Sequence, residues 1–80
     1  MSPQDLLQKL RRQPFQPFRI YLSDGTHYDI THPESAIVGH SALVVGVPGP
    51  EGREGPAERI VDCALLHITR IERIEKTPSH

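Results

Sequence analysis

The chain opens on apolar positions at helical spacing and then changes to alternation. Leu6, Leu7 and Leu10 form a narrow apolar stripe within Ser2-Pro-Gln-Asp-Leu-Leu-Gln-Lys-Leu-Arg-Arg12. This predicts a helix over about residues 3–12. Ser2 is placed to cap it, and Pro3 suits its first position. Asp5 complements the positive end of the helix dipole, and Lys9, Arg11 and Arg12 the negative end. Pro14 disfavours helical geometry at Gln13 and stops it. So short a helix is marginal in water and is expected to dock its leucines on a sheet. Phe15, between Pro14 and Pro17, is expected to pin the connection.

The stretch Phe18–Ile30 is the clearest pattern in the chain, and the hairpin is placed over residues 18–31. Asp24-Gly25 is a strong hairpin signal because glycine adopts positive φ without steric cost. A two-residue loop would set Leu22 against His27 and Ile20 against Asp29. A three-residue loop, Ser23–Gly25, sets Leu22 against Thr26, Ile20 against Tyr28 and Phe18 against Ile30. The other face then pairs Arg19 with Asp29 and Tyr21 with His27. A one-residue slip exchanges the faces, so the pattern selects the three-residue loop, with Gly25 left-handed.

Beyond the hairpin, Pro33 interrupts the ladder and Ala36–Val38 resumes it. Gly39-His40-Ser41 predicts a second tight turn before the valine-rich strand Ala42–Val47. Residues 48–56 concentrate glycine and proline and are expected to form a mobile loop. A strand is expected over 58–63. Residues 64–75 are open between two readings: Leu65, Ile68 and Ile71 spaced by three and the Glu72–Lys76 pair suit a helix, while the β-branched Ile68, Thr69, Ile71 and Ile74 favour a tight turn at Ala64–Leu66 and a strand over 68–74. Thr77 to His80 are expected to fray. These elements predict one mainly β (α+β) domain over residues 1–80. Its expected form is an N-terminal helix followed by about five short antiparallel strands in a bent sheet or small open barrel.

Eighty residues bury only roughly two-thirds of their unfolded surface, so the core is thin. One cysteine, Cys63, excludes an internal disulfide. An oligomer is a natural way to add stability at this size. The net charge of −1 argues against a strongly basic nucleic-acid face. There is no apolar run of membrane-spanning length and no signal-peptide pattern, so no membrane role and a cytoplasmic location are expected.

Candidate chemistry is sparse. His32, His40 and His67, with Glu34 and Cys63, lack the tight local spacing of a zinc site, so no metal and no cofactor is expected. Cys63 sits among Val61, Leu65 and Leu66, beside Asp62, and reads as a buried structural thiol rather than a nucleophile. Asp29 and Glu34 have no evident pocket to separate their pKa values. The glycines of 46–55 precede a strand, unlike a phosphate-cradling loop. No catalytic residue is assigned, and the expectation is no enzyme. The polar face Arg19, Tyr21, His27 and Asp29 is the first candidate binding surface. Lys9, Arg11, Arg12 and Arg19 could instead form a phosphate-contacting strip.

The stretches Pro17–Gly25, His32-Pro-Glu34 and Leu65-Leu-His-Ile-Thr-Arg-Ile-Glu72 together resemble a family of short uncharacterised bacterial proteins, helix-led and of about this length. In element order the chain also resembles the Sm-like (Hfq-type, SH3-like) fold. That family has an N-terminal helix, a first hairpin turning at Asn-Gly or Asp-Gly, and a short helical turn before the last strand. The second resemblance implies rings formed by edge-strand pairing and RNA binding, for which Arg11, Arg12 and Arg19 are the candidate contacts. The residues themselves favour a small non-enzymatic interaction or scaffold module. It would act by self-association or protein docking through Ala42–Val47 or Ile68–Ile74. A metal or enzymatic site built on the histidines and Cys63 ranks last.

Overall fold

A computed structural model describes residues 1–74. The expected fraying of Thr77 to His80 lies outside the described residues. Helix α1 spans Pro3–Arg11. The Ser2 hydroxyl accepts from the Asp5 amide at 3.2 Å, satisfying a donor that the first turn leaves without a helical partner. Leu6 is fully buried and Leu10 packs against the core; Leu7 is half-buried. Phe15 also packs on the core, its ring 6.2 Å from that of Phe18.

Strands β1 (Phe18–Leu22) and β2 (His27–Ile30) pair in the expected register: Phe18 faces Ile30, Arg19 Asp29, Ile20 Tyr28 and Tyr21 His27. The turn is the three-residue loop. Gly25 N–H donates to the Leu22 carbonyl at 3.0 Å, and Leu22 N–H donates to the Thr26 carbonyl at 2.9 Å. Gly25 has φ +91°, a conformation in which a β-carbon is strained. Asp24 stabilises the turn by accepting from the Thr26 amide at 3.0 Å and its hydroxyl at 2.7 Å.

Strands β3 (Ala36–Val38), β4 (Ala42–Gly49), β5 (Gly52–Ala64) and β6 (Ile68–Arg73) follow. Short 3-10 turns at Pro33–Ser35 and Leu65–His67 precede β3 and β6. The molecule is mainly β, but it is not one bent sheet of about five strands, nor a closed barrel. The described residues form two antiparallel sheets of three strands. The first has order β2-β1-β6, the second β3-β4-β5. The break falls at Pro33, whose 3-10 turn separates β2 from β3.

Two further expectations are corrected. Residues 48–56 are not a mobile loop: β4 and β5 continue through them and turn at Pro50-Glu51. Beyond Val47 the ladder carries register shifts on either side of Pro48, and it closes with Gly49 facing Gly52. Strand β3 reaches only as far as Val45 on β4, so Pro48 has no second neighbour whose ladder it would break. Pro56 lies on the sheet's outer strand, where a missing N–H is tolerated. The second correction concerns Ala42–Val47, expected as an exposed edge. It is the central strand of its sheet, and the edges are β2, β6, β3 and β5.

One core joins the two sheets. Phe18, Ile20, Ile30 and Ile68 from the first meet Ala36, Leu43, Val45 and Cys63 from the second, with Leu6 and Leu65 completing it. Burial of these side chains is the main stabilising term, at roughly 1.5–3 kcal/mol for each large aliphatic or aromatic group.

Candidate functional site

The core consumes the inner face of each sheet, so function must be sought on the outer faces and in the clefts. The outer face of the first sheet is a polar grid set by the register. Asp29, Arg19 and Glu72 form one row across β2, β1 and β6; His27, Tyr21 and Arg70 form the next. Arg19 makes a forked contact with Asp29, Nε to Oδ1 at 2.6 Å and Nη2 to Oδ2 at 3.1 Å. That donated pair holds the Asp29 carboxyl below the ordinary carboxylate range. Tyr21 donates its hydroxyl proton to Glu72 at 2.9 Å, packs at a tilt against His27 with ring centres 5.7 Å apart, and lies 4.1 Å beneath the Arg70 guanidinium. Arg70 in turn meets Glu72 at 3.4 Å.

The four residues first singled out, Arg19, Tyr21, His27 and Asp29, are therefore brought together as expected. Their hydrogen-bonding groups are largely spent on one another and on β6, whose contribution the hairpin pattern could not reveal.

The outer face of the second sheet is the opposite case. Ile37 faces Val44, and Gly46 faces Ile60. Ile37 is 69% exposed and Ile60 71%. With Pro48 and Ala57 they line a groove of about 280 Å³, rimmed by Thr31, His32, Glu34 and Ser35. Gly46 deepens the middle of the groove because it brings no side chain. Leu66, expected beside Cys63, is instead 92% exposed on the turn before β6.

The remaining candidates are dispersed. Cys63 is 1% exposed, and its thiol pKa is raised by burial first, then by Asp62 and Asp24, as expected of a structural thiol. Among the described residues, no three His, Cys, Asp or Glu side chains gather as metal ligands, so His32, His40, Glu34, Cys63 and His67 do not meet as a set. His67 faces Ser23, Nδ1 to Oγ at 3.2 Å. Arg11 and Arg12 lie at the end of α1, and Arg19 is bound to Asp29. Lys9 and Arg12 line a cleft with Arg73 of β6. No helix among the described residues is long and apolar enough to cross a membrane.

Comparison with known proteins finds no matching family model, no matching curated protein and no matching solved structure.

Proposed function

We propose that this chain is a non-enzymatic interaction module that works by docking against protein, with a second copy of itself as the first partner to test. The observation that carries the reading is the exposed apolar face of the second sheet, Ile37, Val44 and Ile60 around Gly46. Isolated exposed aliphatics are ordinary on proteins, but a contiguous apolar groove with a polar rim marks an interaction surface. Among the described residues β5 also has an edge with no strand partner beside that groove, and Glu58–Ala64 in it contains no proline to discourage pairing. A homo-oligomer in the cytoplasm is part of this reading.

The test is mass by light scattering across a concentration series, with Ile37→Lys/Ile60→Lys alongside the parent. The expected outcome is an oligomeric parent and a monomeric variant that keeps its circular dichroism spectrum. A monomeric parent that binds RNA tightly at physiological salt would overturn the reading.

A second reading, an Sm-like RNA-binding oligomer, has the element order in its favour: helix, Asp-Gly hairpin, and a short helical turn before the last strand. It calls on Arg11, Arg12 and Arg19, of which Arg19 is already committed to Asp29. It predicts a ring and a steep loss of RNA affinity with salt.

A further inference from the structure

The cations of this chain are not spread evenly. On the outer face of the first sheet the cations have partners: Arg19 holds Asp29, while Arg70 covers Tyr21 and meets Glu72. Three other cations, one of them at the end of β6, line a single cleft. Lys9 and Arg12, three residues apart and so on one side of the helix end, line a cleft of about 180 Å³ with Arg73 of β6. Among the described residues no carboxylate pairs with any of the three. No described carboxylate lines this cleft; Asp5, at the start of the helix, lines an adjoining depression with Lys9, Arg12 and Arg70.

Dipole complementation accounts for Lys9 and Arg11, in the last turn of α1. It does not account for Arg73, which belongs to a different element and is placed in the cleft by the β1–β6 register, opposite Phe18. Gln16 lines the same cleft, its amide nitrogen donating to the Ile74 carbonyl at 3.4 Å. Phe18 and Ile71 also line it. The result is a cleft lined by two apolar and three positive side chains, in a chain whose net charge is negative. Like charges brought together repel unless an anion lies between them. Guanidinium groups suit the planar, forked contact that phosphate oxygens offer.

We propose that the cleft between the end of α1 and β6 binds a small molecule carrying a phosphate or diphosphate group, held by Lys9, Arg12 and Arg73. The site is compact rather than a track, and the aromatic ring that lines it, Phe18, is buried in the core, so it offers no open face for bases to stack on. This favours a small phosphorylated ligand over a nucleic-acid strand. The proposal is independent of the docking surface on the second sheet.

The test is titration of the full chain with sodium pyrophosphate at low ionic strength, followed by amide chemical shifts and by calorimetry. Saturable binding is expected, with shifts centred on Lys9, Arg12, Gln16 and Arg73. Arg12→Gln/Arg73→Gln is expected to weaken it at least about tenfold, since a charge-assisted hydrogen bond is worth that much or more. Arg59→Gln, on the second sheet, is expected to leave it unchanged. The three cations are exposed, so these variants should keep the parent melting temperature. Two results would overturn the assignment: no saturation at millimolar pyrophosphate, or a double variant that binds like the parent. Tighter binding by single-stranded RNA that grows with strand length, or by vesicles containing phosphatidylglycerol, would also overturn it in favour of a polymer or a membrane surface.

Discussion

The two sheets share a core and a three-stranded antiparallel form, and differ in their outer faces. From inside they are alike, each giving aliphatic side chains to one cluster. From outside the first is a closed polar circuit, in which Arg19, Asp29, Tyr21, Glu72 and Arg70 answer one another. The second is apolar and open, with Ile37 and Ile60 largely exposed beside a groove. The difference teaches where to look for a partner. A face whose polar groups are mutually satisfied gains little from new contacts, because each must replace one already made. An exposed apolar face gains from any contact that removes it from water.

The largest effects should come from breaking what the sheets have in common. Ile20→Ala in the first and Leu43→Ala in the second are each expected to cost about 2–5 kcal/mol in urea unfolding. If one sheet tolerated its substitution with under about 1 kcal/mol, the shared core would be a poor description.

Next come the turns that close each sheet's long hairpin. Gly25→Ala and Gly52→Ala place a β-carbon at φ +91° and +67°, where nothing obstructs it but the backbone is strained. Each is expected to cost about 1–2 kcal/mol, read as a shift in the unfolding midpoint. A loss at Gly25 alone would mean that the second hairpin contributes little to folding.

The outer faces should then separate. Tyr21→Ala removes a hydrogen bond and a cation–aromatic contact, and is expected to destabilise the monomer by about 1 kcal/mol. Ile60→Lys is expected to change monomer stability by less than about 0.5 kcal/mol. Equal losses at the two positions would erase the contrast between the faces.

The smallest expected effect is acid sensitivity. The folded Asp29 pKa lies below the unfolded value, so the Arg19–Asp29 pair adds stability at pH values above the ordinary carboxylate range. That increment is lost as the pH falls through the ordinary pKa and on to the lower folded one. The pair is well exposed to solvent, so the increment is under about 1 kcal/mol. Asp29→Asn should flatten that part of the stability–pH curve, and an unchanged slope below pH 5 would show that the pair contributes nothing.

The first hairpin was legible because two independent constraints agreed on its register: the Asp-Gly turn and the segregation of Phe18, Ile20 and Ile30 from Arg19, Tyr21 and Asp29. In residues 48–56 composition misled. Glycine and proline imply disorder when neighbours are unknown, yet β3 ends early, so Pro48 blocks no ladder and Pro56 falls on an edge. Only strand order reveals that. The apolar groove was also hidden, because a three-residue strand such as Ala36–Val38 does not show from sequence which of its side chains faces in. The cationic cleft joins residues more than sixty positions apart, and nothing local announces Arg73 as the neighbour of Arg12.

The 3-10 turn at Leu65–His67 has a further consequence. Its Leu65 amide donates to the Ser41 carbonyl at 2.9 Å, while its His67 carbonyl accepts from the Ser23 amide at 2.8 Å. Two residues of one turn, Leu65 and His67, are thus hydrogen-bonded to the turns that close a hairpin in each sheet. Ser23 and Leu65 therefore act as built-in reporters of whether the halves part. If the domain opens as one unit, their amide protons exchange with solvent at matched rates; if the halves breathe separately, these two protons are the first to be lost.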